Sequence, residues 1–431
     1  MGVMNDPYLR RALPALLALS LLLSLFFVWR VPFGDNPDET AHRDYIRLLV
    51  EERGFVKFIE RSKLPEDAPS RDEAHQPPLY YLLCAPVYAV SGGNTAAMRL
   101  VSTALQLATV ALVFFACRDL FPKRGEIAVG AAAFVVCLPT QAQLGGAINN
   151  DPLNTLICAA IFWRLGALIL RGQTIRDAAW LGILFGLGLW TKLSVVQLVP
   201  AFAVAYFLAV RGEKITLPKA AARCAGALIL GVVFASPWLI RNTLLYGDPL
   251  TLAIYRLTGP NYSPQLIQES YGLTVADYFR SVAVRSFATF FYFLHPNLPI
   301  VPLQRFVGPA LPLVAVLGIS LSSLFLLYRK GKAGEYPGGV AKILTAFLFA
   351  VLLLVPFYTQ FNLTVFQAQG RYFLPAVFPV AVLTTVAWMS RSLNTDGDKI
   401  PPRWLGVLWV PTVLLLLAVY QGIGGGFLTR P

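Results

Sequence analysis

Charge is scarce in this chain: 36 Lys and Arg and 23 Asp and Glu make up 14% of it, against 56% hydrophobic residues. That balance excludes a disordered chain and an ordinary soluble enzyme. Cysteine is scarce too. Cys84, Cys117, Cys137, Cys158 and Cys224 form no CxxC pair and no metal-ligand spacing. They read as small core residues, so neither a disulfide scaffold nor a zinc cluster is expected from them. No Gly-rich nucleotide-binding loop is present, since GGGF at 424–427 lies in the C-terminal tail. Internal repeats, Gly/Ser linkers and a soluble domain are likewise missing.

Apolar runs fill the space that charge leaves. Uncharged stretches of 16 to 22 residues recur along most of the sequence, and one crossing of a bilayer needs roughly 20. Strands of a membrane barrel alternate apolar and polar, and these runs do not. The expected fold is an all-α polytopic integral membrane protein, a single transmembrane domain over 1–431. The net charge of +13 would suggest nucleic acid in a soluble protein. Here many of the basic residues sit in short loops between spans, where they set topology, and no nucleic acid is expected.

Eleven spans are expected, near 12–31, 96–117, 126–144, 152–170, 177–191, 193–210, 221–240, 306–328, 341–359, 373–390 and 404–421. The loops 118–126, 171–177, 211–223, 329–339 and 390–403 each carry at least two basic residues. The short connections opposite them carry none or one. This asymmetry places the N-terminus in the cytoplasm and the C-terminus outside. The segment PPLYYLLCAPVYAV (77–90) is apolar but short and holds three prolines. Counting it as a span would invert every later loop, so it reads as a re-entrant or juxtamembrane helix on the outer side. Two outer loops are long, 32–95 and 241–305, and loops of that length in a compact protein are usually functional.

Chemistry gathers in those outer loops. All three histidines (His42, His75, His295) fall there, and the first loop holds eleven of the 23 acids. Asn36-Pro37-Asp38-Glu39 reads as a capping box with Asn36 as N-cap, which would account for its acids structurally. The functional reading uses the same physics: a helix N-terminus keeps a carboxylate ionised at the membrane surface. Glu73 and His75, two residues apart, supply two ligands toward a divalent metal ion, too few for a site by themselves. Asn149-Asn150-Asp151-Pro152 forms an outer turn, equally readable as a helix cap. Three outer cations stand close to spans: Lys192 in a tight turn, Arg241 beside Asn242, and Arg371 before Tyr372. Snorkelling accounts for such residues structurally. Together they point to an anionic ligand, with the phosphate of a lipid as a good match.

These motifs line up in order and spacing with a family. Asp38-Glu39 after the first span, HQPPLYYLL (75–83), INNDPL (148–153), Thr191-Lys192, RNTLLYGDP (241–249) and QGRYFLP (369–375) together resemble a GT-C glycosyltransferase. The type includes the polyprenyl-phosphate-mannose protein mannosyltransferases and the lipid A aminoarabinose transferase. Gln76 stands where the family often has a histidine or an acid. The resemblance implies a GT-C-like fold, a polyprenyl-phosphate-sugar donor and an active site facing outward from a bacterial inner membrane. It implies Asp38 as the catalytic carboxylate, with Glu39 beside it and Asp151 as a second acid. Lys192 and Arg371 would contact the donor phosphate, with Tyr372, Arg241, Asn242, His75 and Gln76 around them.

The expected reaction is inverting transfer of a hexosyl or pentosyl group to an acceptor hydroxyl of a lipid, glycan or protein of the cell envelope. Asp38 or Glu39 would take the proton, since both sit on one helical turn. No cofactor is certain, a divalent metal ion being the candidate. The alternative is a transporter or flippase of an amphipathic lipid-linked anion. Against it stand the lack of internal repeats and of charges near the midplane. Arg164 looks mid-span but lies near a cytoplasmic end.

Overall fold

The structure, a computed structural model, describes residues 7–122, 124–210, 215–254, 263–291 and 338–392, with residues 325 and 329. No strand occurs among them. The helices are α1 (Pro7–Arg30), α2 (Glu39–Glu51), α3 (Leu79–Ser91), α4 (Thr95–Leu120), α5 (Gly125–Cys137), α6 (Pro139–Gly145), α7 (Asp151–Arg171), α8 (Ile175–Leu189), α9 (Val199–Val210), α10 (Leu217–Tyr246), α11 (Pro264–Tyr271), α12 (Val275–Phe291), α13 (Gly338–Asn362) and α14 (Val377–Ser392). Seven described spans are long and apolar enough to cross a bilayer, or eight if α5 and α6 count as one bent crossing. The expected spans 306–328 and 404–421 lie outside the described residues, apart from residue 325, so the count of eleven is not tested.

Where spans are described, local chemistry sets their ends. The Asn94 side chain accepts a hydrogen bond from the Ala97 amide and starts α4. Thr174 and Asp177 form a reciprocal capping box that starts α8. The stretch 126–144, expected as one span, is instead two helices bent by 67°. Pro139 causes the break: it offers no amide and forces Leu138 into an extended conformation, at φ −70° and ψ 113°. The span expected to end at 240 runs on to Tyr246, where Gly247 closes it in the left-handed conformation at φ 69°. Arg241 and Asn242 therefore lie within α10 and do not begin a loop. Polarity ends a membrane crossing but does not end a helix.

The capping box at Asn36 does not form either. Helix α2 begins at Glu39, and Asp38 is its N-cap residue, in the left-handed region at φ 57° with no side-chain cap bond. The Asn36 side chain is occupied elsewhere: it donates to the Glu39 carboxylate at 3.4 Å and accepts from Gln143 Nε2 at 3.3 Å.

Helix α7 is the axis of the bundle. It packs on α4, α8, α9 and α13 and buries Ile157, Ile161, Phe162 and Leu165. Helices α8 and α10 approach closely because their contact is glycine: a Cβ at Gly182 would lie 2.8 Å from the Ala227 carbonyl oxygen. On one end of the bundle α3 lies against α2 and α4. It has 13 residues, too few to span, as expected for 77–90. Its first amide, on Leu79, donates to the Trp190 carbonyl at 2.9 Å, joining the first long loop to the turn after α8.

Candidate active site

Four charged residues from four distant segments meet at that end of the bundle. Asp38 comes from the start of α2. Asp151 is the first residue of α7, its amide held by Asn149 Oδ1 at 2.9 Å. Lys192 stands in the turn between α8 and the 3-10 turn Leu193–Leu198, with its amide on the Gly188 carbonyl at 2.8 Å. Arg371 stands in the 3-10 turn Gly370–Ala376, which leads into α14.

They form a row of alternating charge. Lys192 Nζ lies 2.6 Å from Asp151 Oδ1, Arg371 Nη1 3.8 Å from Asp151 Oδ2, and Arg371 Nη2 2.6 Å from Asp38 Oδ2. Asp151, Lys192 and Arg371 are nearly enclosed, while 45% of the Asp38 side chain remains exposed, so the row opens through Asp38. The Tyr372 ring lies under both cations, 5.9 Å from Lys192 Nζ and 5.6 Å from the Arg371 Cζ. Several enclosed polar atoms around the row have no hydrogen-bond partner among the described residues: Arg371 Nε, Asp151 Oδ2, Asn150 Oδ1, Glu73 Oε2 and Gln369 Oε1. Buried polar groups are seldom left this way, and a cluster of them marks a place built for a ligand.

Gly370 seats Arg371. Its amide donates to Thr289 Oγ1 at 2.7 Å, and a Cβ there would lie 2.3 Å from the Phe290 nitrogen. Only a glycine lets this turn lie against α12.

Beside Asp38 lies a second group. Ligand atoms of Asp38, His42 and Glu73 all fall within 4.8 Å of one another. Of the expected Glu73 and His75, this set contains Glu73, with His42 as its histidine. Glu73 and His75 sit in the 3-10 turn Asp72–His75, where three residues per turn send side chains two apart in directions about 120° different. His75 Nδ1 contacts the Asp72 carbonyl at 2.6 Å. His42 lies one helical turn after Asp38, with Nδ1 2.9 Å from Tyr81 Oη.

The protonation states differ sharply across this small volume. Burial pushes the Asp38 carboxyl upward, but Arg371, with Lys192 behind it, outweighs burial and holds it at about 2. Burial lowers His42 to about 3, more than the Asp38 charge raises it. Burial and the same Asp38 charge lift Glu73 to about 8. At neutral pH Asp38 is ionised, His42 neutral and Glu73 protonated. Two carboxyl groups driven apart in this way are a mark of acid–base sites.

The remaining sequence candidates lie nearby or turn away. Glu39 points from the row and binds Arg99, at 2.7 Å to Nε and 2.6 Å to Nη2. Gln76 accepts from Asn150 Nδ2 at 3.5 Å. His75, Gln76 and Asn242 line a small open cleft with Trp238, Leu193 and Thr251. Arg241 stacks 4.5 Å from the Trp238 ring and donates to the Val56 carbonyl, apart from the charged row. Arg99 was missed at the sequence level. A lone arginine inside the apolar run 96–117 was the signal, because a charge at that depth needs a partner.

Residues 75–240, under half of the chain, match the dolichyl-phosphate-mannose-protein mannosyltransferase family. No curated protein matches the chain significantly. Among solved structures it is similar to ArnT from Cupriavidus metallidurans bound to undecaprenyl phosphate. The identity is 14%, the TM-score 0.55, and the match covers 96% of this chain and 73% of that one. The apo state of the same ArnT gives 14% identity and a TM-score of 0.50, covering 96% and 75%. The oligosaccharyltransferase of Archaeoglobus fulgidus, in complex with zinc and sulfate, gives 15% identity and a TM-score of 0.57. That match covers 94% of this chain and 52% of the other, so the chain spans about half of its length. The chain shares its fold with the ArnT and oligosaccharyltransferase structures.

Proposed function

We propose that the protein transfers a sugar from a polyprenyl-phosphate-linked donor to an acceptor hydroxyl of a lipid, glycan or protein, at the outer face of a bacterial cytoplasmic membrane. The observation that carries this reading is the row Lys192–Asp151–Arg371–Asp38, closed at its cationic end and open at the acid. A lipid-phosphate leaving group needs fixed positive charge, which Lys192 supplies as a point and Arg371 as a fork. Asp151 holds both cations in place. The undecaprenyl phosphate of the similar ArnT structure supports a donor of this chemistry. The charge asymmetry of the short loops supports an outward site and a cytoplasmic N-terminus.

The acceptor oxygen attacks the anomeric carbon from the face opposite the phosphate. The bond from carbon to phosphate oxygen breaks, its electron pair leaves with the lipid phosphate, and the configuration inverts. Asp38 takes the hydroxyl proton. Arg371 holds Asp38 as a weak base, at about 2. When the donor phosphate draws the guanidinium to itself, that hold loosens and the carboxylate becomes a stronger base. The binding of Glu39 to Arg99 supports Asp38 rather than Glu39 in this role.

The donor set of Asp38, His42 and Glu73 fits a divalent ion of the zinc or manganese type, with two carboxylates and a neutral imidazole. A bound ion would add Lewis-acid charge beside the acceptor oxygen. Glu73 would give up its proton to bind it, and Tyr81 would release the His42 nitrogen.

The test is release of free polyprenyl phosphate by purified protein in lipid, given a panel of polyprenyl-phosphate sugars. Wild type should consume a donor and Lys192→Ala should not. Donor binding that is lost in Lys192→Ala, without turnover by any wild-type sample, would favour a transporter instead. Chelation before the assay, then zinc or manganese, reads out the metal separately.

A further inference from the structure

A nearly fully enclosed ion pair lies outside the charged row. Arg99 and Glu39 are 3% and 0% exposed in their side chains. All five donors of Arg99 are used. Nε and Nη2 hold the two Glu39 oxygens, Nη1 donates to the Val28 and Val31 carbonyls at 2.8 Å each, and Nη2 reaches the Pro32 carbonyl at 3.3 Å. Val28 and Val31 bracket the C-terminus of α1, whose last carbonyls have no partner within the helix, so Arg99 caps it.

The Glu39 carboxylate is as fully occupied. Beyond Arg99 it accepts the Gly34 amide at 3.2 Å and the Ile148 amide at 3.1 Å. The first belongs to the turn that carries Asp38. The second belongs to the turn that carries Asp151. One more bond ties these turns, from Asn149 Nδ2 to the Pro37 carbonyl at 3.2 Å. Between the two anchored ends, Asp38 holds a left-handed backbone that few residues other than glycine adopt without support.

We infer that Arg99 and Glu39 are positioning residues for the transfer reaction: together they fix Asp38 and Asp151 relative to each other and to the end of α1. This rests on the transferase reading for its consequence, and on geometry alone for the mechanical claim. Glu39 is thereby assigned a place beside the base without being the base. Arg99, near the start of a membrane helix, serves a site it never touches.

The test uses the full-length protein in lipid, with Arg99→Lys and, because that change endangers folding, Glu39→Asp and Asn149→Ala as milder variants. Two readouts are taken on folded, monodisperse samples. Amide hydrogen exchange over 32–45 and 145–153 should rise in Arg99→Lys and Glu39→Asp, while peptides of α10 keep the wild-type rate. Turnover per folded molecule should fall about 10²-fold with donor KM within about twofold of wild type, because misplacement of the reacting carboxylate leaves the phosphate cations in place. Asn149→Ala should move both readouts the same way by less. Unchanged exchange in both segments would overturn the inference. Raised exchange with normal turnover would also overturn it, leaving the pair as structural only. Raised exchange in a protein whose wild type turns over no donor would sustain the mechanical claim and refute the transferase reading.

Discussion

Replacing Asp38 by Asn tests the base with little disturbance of the scaffold. Asn is as tolerant as Asp of the left-handed backbone at φ 57°, so the helix start is not strained by the change. Asn keeps an oxygen that can accept from Arg371, and the half-exposed position lets water reach the guanidinium. Folding should therefore survive. Catalysis should not: removal of a general base costs on the order of 10²–10⁴ in rate, or about 2.7–5.4 kcal/mol of barrier. Asp38→Ala adds a backbone penalty of about 1–2 kcal/mol for a residue that avoids the left-handed region. The assay is polyprenyl phosphate release in lipid, with thermal unfolding of the same samples. The expected pattern is equal loss of turnover in both variants and a lower Tm for Asp38→Ala alone. Turnover by Asp38→Asn within a few-fold of wild type would refute the assignment. Unfolding of Asp38→Asn would instead show that the carboxylate holds the fold.

Three further perturbations read other parts of the site. Lys192→Met leaves the enclosed Asp151 with only the 3.8 Å contact to Arg371, so it should cost about 3–5 kcal/mol of stability; adding Asp151→Asn should recover most of the Tm but none of the donor turnover. Gly370→Ala drives a Cβ into the backbone of Phe290 and Ser286. It should displace Arg371 and lower donor binding, measured as a rise in donor Kd along with a fall in Tm. Glu73 is raised from 4.5 to about 8 in the folded protein, so the folded state holds a proton there that the unfolded state releases. Stability should fall as pH rises through that window, by at most about 1.4 kcal/mol per pH unit. Unfolding at pH 7 and 8.5, above the range in which the buried His42 and His75 take up protons on unfolding, should show the loss in wild type, and Glu73→Gln should flatten it.

The sequence by itself determined the membrane class and most described spans, because hydropathy is a local property that a bilayer reads directly. It also determined that 77–90 is too short to cross, and that acids and cations gather at one end of the bundle. Charge asymmetry does that work without any contact information. Helix ends were less legible. The break at Pro139 and the run of α10 past Arg241 depend on backbone geometry that polarity does not report.

Tertiary structure decided the partnerships. Asp38 and Glu39 are neighbours in sequence and indistinguishable by periodicity, yet one faces Arg371 and the other Arg99. Glu73 and His75 share a motif but not a direction, and His42, 31 positions before Glu73, stands closer to it in chemistry. The pairing of Arg371 with Asp38 joins residues 333 positions apart. Charges far apart in sequence choose partners by where the packed helices leave room for them, and only the folded chain fixes that.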